Sequence, residues 1–270
     1  MFDFLQNLDN DIHDALLAQL RNLWTHTSTA IEGNTLTPGE TAFVLEEGLT
    51  ISGKPLKDHE EVVGHARAIE LVYDLIRKKS DLTEKDLFEL HKAIQTERII
   101  DIYKPVGAWK VESNSTVMVS GDTQIIFEFA APKDVPELMQ SWLSLFQKTC
   151  KENTENQEAA LSAYAHLHVS FVRIHPFWDG NGRMARLIAN IPVIMAGYPP
   201  IIIPKEQRRE YIESLSEYHL AVGNITSRNE LLPDVEKLIR FKQFCAKAWS
   251  GSTKLVDNAR KKQQVRNQQK

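Results

Sequence analysis

The segment HPFWDGNGRMAR, residues 175–186, constrains the architecture of this 270-residue chain more than any other stretch. A proline directly after His175 drives that histidine out of the helical region, so the periodic stretch over 158–174 has to end there. Gly180-Asn181-Gly182 then supplies a tight turn, and Arg183 opens a second helix with Leu187, Ile188, Ile191 and Ile194 on its buried side. Two helices therefore meet at one corner. Side chains carried on that corner project into a cleft.

Apolar residues recur at helical spacing through most of the remaining chain. The spacing predicts helices over 11–31, 38–48, 58–78, 83–95, 134–149, 158–174, 183–196, 205–221 and 232–249, so the fold class is mainly α. Thr37-Pro38 reads as an N-cap followed by proline in the first helical position. One segment differs: residues 107–130 are rich in β-branched and aromatic residues punctuated by Ser, Asn and Gly, which reads as a small hairpin. A lone hairpin is marginal in water, so it has to lean on the helices. Beside a site it could grip an extended peptide by strand addition or simply cover the core.

With 42% hydrophobic residues the chain can bury a core of its own, and the net charge of −4 conceals a basic end. Residues 251–270 hold six basic side chains against Asp257 alone. Without aromatics and rich in glutamine, that tail reads as a solvated, frayed end rather than a nucleic-acid arm. Cys150 and Cys245 are isolated, which fits a reducing compartment rather than a disulfide framework or a zinc site. The acidic start lacks a signal core, and no apolar run reaches membrane-spanning length. A cytoplasmic protein without membrane or nucleic-acid partners is expected.

Taken singly, each part of the 175–186 segment has a bland explanation: a glycine turn, a histidine cap, arginines paired on the surface. Together they describe an anion site. Main-chain amides of a glycine turn at a helix N-terminus cradle phosphate. Arg183 and Arg186 are three apart on one helix, so both guanidinium forks could reach a polyphosphate. Asp179 would repel that ligand unless a Mg²⁺ stood between carboxylate and phosphate oxygens. His175 suits proton abstraction near neutral pH. His166 and His168 point about 200° apart on a helix and cannot share one ion, so His168 reads as a packed or hydrogen-bonded support. Phe177 reads as the buried anchor of the turn.

At every defined position the segment resembles the signature HPFx(D/E)GNGRxxR of Fic-domain proteins, and the resemblance extends over about residues 83–245. It implies a Fic-type helical bundle with a small β-hairpin flap and an N-terminal helical extension. The corresponding divisions are 1–82 with an inhibitory helix, a catalytic core over 83–249 and the basic tail 250–270. Fic proteins are mostly AMP transferases that move AMP from ATP to a Ser, Thr or Tyr hydroxyl of a target protein. By this resemblance His175 is the general base and Asp179 the Mg²⁺ ligand. Gly180, Asn181 and Gly182 take the α- and β-phosphates, Arg183 the β-phosphate region and Arg186 the γ-phosphate, while Tyr211 flanks the adenine. The target approaches through the hairpin flap 107–130. Lys110 stands where the family often has a flap arginine, so no target contact is carried over to it.

STAIEGN, residues 28–34, resembles the family's inhibitory motif (S/T)xxxE(G/N). Ser28 and Glu32 share one helix face. Read alone, the stretch is an ordinary helix end before Gly33-Asn34. The resemblance implies that Glu32 pairs with Arg186 and blocks the γ-phosphate seat, giving an autoinhibited protein adenylyltransferase that uses ATP and Mg²⁺ and modifies a target and itself. Two alternatives remain: removal of AMP by a water that Glu32 orients, and a non-catalytic nucleotide-sensing module. The resemblance allows a homo-oligomer, and Glu32 could act within its own chain or on a neighbour.

Overall fold

The computed structural model describes residues 2–95, 101–120, 123–152 and 156–269. Ten helices and one two-stranded sheet are present among them: α1 Asn10–Ile31, α2 Pro38–Glu47, α3 Leu56–Lys78, α4 Glu84–Ile94, β1 Ser115–Ser120, β2 Thr123–Glu128, α5 Val135–Lys151, α6 Gln157–Ile174, α7 Asn181–Ile188, α8 Asn190–Met195, α9 Arg208–Val222 and α10 Ile239–Gln268. The mainly α architecture with a small hairpin matches expectation. Helix α6 is the axis of the bundle. Its residues from Ala160 to Ile174 are buried on nearly every side, and α5, α7, α8 and α10 pack around it. A helix so enclosed has little use for a polar face.

Local chemistry sets the ends of these helices. Thr37 and Glu40 exchange side-chain and main-chain hydrogen bonds at the start of α2, and Thr83 and Asp86 do the same for α4. The expected helix over 183–196 begins earlier, at Asn181, and divides into α7 and α8. Pro192 has no N–H to offer the carbonyl four residues back, which accounts for the break. Asn190 repairs the junction, its amide donating to Arg186 O and Ile201 O while its oxygen accepts from Ile201 N.

The strands pair antiparallel with Thr116 opposite Phe127 and Met118 opposite Ile125. Directly opposed residues share a face, and Met118 and Phe127 are buried against the helices while Val117 and Ile126 point outward. Residues 107–114 of the expected hairpin form a loop instead. It runs back under the 175–186 corner, where Lys110 N donates to Pro176 O.

The basic tail is not frayed. Helix α10 continues to Gln268, and Ser252, Val256, Ala259 and Gln263 are buried in a 4-3-4 spacing. This segment lies along α1: Gln263 Oε1 accepts from Asp9 N, and Arg266 pairs with Asp9 and Asp11. Helix α1 is thus packed by α3 on one side and α10 on another, with Leu16, Leu20, Trp24 and Ile31 in the core.

Candidate active site

His175 caps α6 with φ 54° and ψ 59°, in the left-handed region that a residue before proline rarely adopts. Two bonds hold it there, His175 N donating to Phe171 O at 2.9 Å and Lys110 N to Pro176 O at 2.9 Å. Its ring stacks on Phe129, just beyond β2, with centroids 3.8 Å apart. Nδ1 lies 3.4 Å from Val172 O, which places the ring proton on Nδ1 and leaves the Nε2 lone pair free. Burial, then the nearby Lys110 charge, lower the His175 pKa to about 3, so the imidazole is neutral at physiological pH.

The loop that follows is built by its own side chains. Asn181 is 1% exposed and closes a two-way clasp on Phe177, Oδ1 accepting from Phe177 N at 2.9 Å and Nδ2 donating to Phe177 O at 2.8 Å. The Asn181 side chain therefore shapes the turn, and only its main chain is left for a ligand. Phe177 is fully buried, as expected for an anchor, and stacks on His91 at 3.9 Å. His91 accepts from Gly107 N at Nδ1, so its Nε2 carries the proton and donates to Asp179 O at 3.0 Å. Gly180 takes φ 77° at the head of α7. At Gly182 a Cβ would meet Glu32 Oε1 at 2.8 Å and Arg186 Nη1 at 3.1 Å. A side chain at that position would have to displace the Glu32 carboxylate.

The two arginines of α7 diverge, although their spacing puts them on one side of the helix. Arg183 turns to the end of α4, donating to Ile94 O at 3.1 Å, Gln95 Oε1 at 3.0 Å and Asp179 Oδ2 at 3.2 Å. Burial opposes the Asp179 charge, but Arg183, the Gly180 amide and Gln95 together hold its carboxyl below the ordinary range. Arg186 turns the other way, to α1. Its Nε donates to Ser28 Oγ at 3.0 Å, and Nη2 to Ser28 O at 3.0 Å and Glu32 Oε1 at 2.6 Å. Nη1 reaches Tyr211 OH at 3.4 Å, and that hydroxyl lies 3.0 Å from His168 Nε2. His168 is fully buried, a hydrogen-bonded support as expected. Burial disfavours the Arg186 charge, yet Glu32 and Tyr211 more than offset this and raise its pKa.

These groups surround one open cavity of about 260 Å³. Glu32, His175, Asp179, Gly180, Asn181, Gly182, Arg186 and Tyr211 line it, whereas Arg183 stands behind the wall and Ser28 behind Arg186. Sequence reasoning missed the supports His91, Gln95, Asn114 and Phe129, and the supporting role of Lys110. Asn114 Oδ1 accepts from Lys110 Nζ at 2.6 Å while its amide donates to Phe177 O, tying the hairpin root to the turn. None of these supports carries a local pattern, because each reaches the 175–186 corner across a long sequence separation. Arg208 was missed as well; its Nε donates to Ile31 O at 2.7 Å at the cavity rim.

The Fic/DOC family pattern matches residues 81–192, which hold α4, the hairpin, α6 and the whole of the corner just described. Residues 81–192 are a Fic domain. The protein is 34% identical over 188 residues to Protein adenylyltransferase Fic of Drosophila persimilis, covering 70% of this chain and 34% of that protein. The homologue from Drosophila melanogaster is likewise 34% identical over 188 residues, with 70% of this chain and 35% of that protein covered. The chain spans about a third of the length of the curated relatives it matches. Among solved structures, a Fic domain containing signaling protein from Bacteroides thetaiotaomicron superposes with a TM-score of 0.81 at 28% identity, covering 95% of this chain and 92% of that one. Fic-1 from C. elegans superposes at 0.70 with 27% identity, covering 96% and 69%. The Fic domain and the helices around it therefore share one arrangement with these proteins. No helix among the described residues is long and apolar enough to cross a membrane.

Proposed function

We propose that this protein is an autoinhibited adenylyltransferase that moves AMP from ATP to a hydroxyl of a target protein. One observation carries the reading: the Nε2 lone pair of a neutral His175 and the Gly180–Gly182 main chain at the head of α7 line the same cavity as Arg186. A triphosphate seated on the α7 amides has its negative charge met by the helix terminus and by Arg186. The target hydroxyl approaches beside the hairpin and attacks the α-phosphorus. His175 Nε2 takes its proton as the new P–O bond forms, the bond to the β-phosphate oxygen breaks, and pyrophosphate leaves. Arg183 serves by fixing Asp179, and Tyr211 by holding Arg186.

The donor set suits Mg²⁺, which typically binds one or two carboxylates and completes its shell with phosphate oxygens and water. Asp179, ionised and 63% exposed at the cavity, is the carboxylate in place. Among the described residues no group of three His, Cys, Asp or Glu side chains is poised to bind a metal, so such an ion would share its shell with the nucleotide. When bound, it neutralises phosphate charge.

Glu32 supplies the restraint, within the same chain. Its carboxylate occupies the Arg186 fork that the terminal phosphate would take, and lies against Gly182 at the edge of the phosphate cradle. A second reading, removal of AMP by a water held on Glu32, draws on the 40% exposure of that side chain within the cavity. Mass spectrometry separates them. The Glu32→Gly protein incubated with Mg²⁺ and ATP should gain AMP on itself or on an added lysate protein. If Glu32→Gly instead abolishes AMP release from a modified substrate and gains nothing, the second reading replaces the first.

A further inference from the structure

Among the described residues, three side-chain hydroxyls line the cavity: those of Thr116, Tyr211 and Ser216. Tyr211 is committed. Its hydroxyl lies between Arg186 and His168, and burial raises its pKa to about 12. Ser216 stands on α9, ~7.5 Å along the helix beyond Tyr211, whereas the His175 ring is held from the hairpin side by Phe129. Thr116 belongs to that hairpin.

Strand pairing fixes where the Thr116 side chain points. Alternate residues of a strand share a face, and residues directly opposed in an antiparallel pair share it as well. Asn114 donates to Phe177 O and Trp178 O, Met118 is buried, and across the ladder Phe127 stacks on His219 and Phe129 on His175. All four point inward. Thr116 lies between Asn114 and Met118 and opposite Phe127, so it points inward too. Phe129 N donates to Asn114 O, which extends the ladder and makes Phe129 a diagonal neighbour of Thr116, a relation that spans ~7–8 Å. The Thr116 hydroxyl makes no hydrogen bond among the described residues and borders the same cavity as His175.

We infer that Thr116 is the acceptor through which the protein adenylylates itself, in an intramolecular reaction. The inference rests on reading the cavity as the site of AMP transfer. Thr116 Oγ1 attacks the α-phosphorus of ATP seated on the α7 amides, and its proton passes to His175 Nε2. The bond to the β-phosphate oxygen breaks, pyrophosphate leaves, and a phosphodiester joins AMP to the hairpin. A strand fixed by its ladder and by the Asn114 bonds presents this hydroxyl to the base at high effective concentration. Acceptor and base belong to one chain, so no second copy is needed.

The test uses the full chain carrying Glu32→Gly, incubated with Mg²⁺ and ATP, digested, and mapped by tandem mass spectrometry. One AMP per chain is expected, on Thr116. The rate constant for its incorporation should be unchanged when the protein is diluted about tenfold, as an intramolecular step requires. Thr116→Val, which keeps the shape and removes the hydroxyl, should lose the label, and Thr116→Ser should retain it. Thermal melts and titration with ATP verify that the valine variant folds and binds nucleotide; where it does not, the peptide map of the parent still decides. AMP mapped to another residue, or a rate constant that falls on dilution, overturns the role of Thr116 and leaves the adenylyltransferase reading standing. The same holds if added lysate proteins take AMP and the chain takes none. If nothing takes AMP, reading and inference fall together.

Discussion

Glu32 Oε1 accepts a hydrogen bond from Arg186 Nη2 at 2.6 Å across 154 residues of sequence, joining the end of α1 to the middle of α7. The partners are unequal: the Arg186 side chain is 3% exposed and that of Glu32 40%. Arg186 keeps Ser28 and Tyr211 when Glu32 is lost, so the arginine is not left bare. Glu32→Gly should therefore lower stability by only about 1 kcal/mol, the exposed carboxylate being screened. AMP incorporation should rise by roughly tenfold to a hundredfold as the seat opens. Labelling with α-labelled ATP and a urea titration read the two effects, and a stability loss without activation would make the contact purely structural.

His175 should govern the acid side of the rate profile. With its pKa lowered to about 3 in the free protein, the base form persists well below the ordinary imidazole value. In the Glu32→Gly protein kcat/KM should stay flat from pH 7 down to about 5, where an unperturbed histidine of pKa ~6.5 would already have lost most of its activity. His175→Ala should cost about 10²–10⁴-fold in kcat while ATP still binds.

Acid should also unfold the protein early. His65, His91, His168, His175 and His219 all have pKa values lowered chiefly by burial. The unfolded chain titrates near 6.5, so between that value and the lower folded ones it binds more protons than the native state. Stability is therefore fully present above the unfolded value and is lost as pH falls below it, by up to about 1.4 kcal/mol per pH unit for each such group. Urea midpoints at pH 7, 6 and 5 should fall in that order. Equal midpoints would contradict the buried, neutral state of these rings.

Arg266 tests the packing of α10 on α1. Arg266→Ala removes exposed pairs to Asp9 and Asp11 and should cost no more than about 1 kcal/mol. Val256→Asp, by contrast, puts a charge into the buried stripe between the two helices and should cost several kcal/mol. Thermal melts distinguish the two, and equal small losses would mean the stripe is not buried.

The corner at 175–186 was legible because proline and glycine act on the backbone locally, and helix α1 was legible from its apolar spacing. The tail was not. Its stripe of Ser252, Val256, Ala259 and Gln263 contains only two apolar residues, so its periodicity is invisible beside the lysines and glutamines that favour helix on their own. The divergence of Arg183 and Arg186 was equally hidden, since helical spacing fixes where two side chains start and not which neighbours claim them. Tyr211 shows the same limit: expected to flank the adenine, it lines the cavity with its hydroxyl committed to Arg186 and His168.

Helix α1 behaves as a beam clamped along its length, gripped by Arg266 and Gln263 near one end and buried through Leu16, Leu20 and Trp24. Withdrawing it to free Arg186 would expose much of the core, whereas swinging the half-solvated Glu32 carboxylate about its own bonds disturbs almost nothing. If Glu32 restrains Arg186 as proposed, release would run through rotation of that single side chain, and the rest of the molecule could stay still.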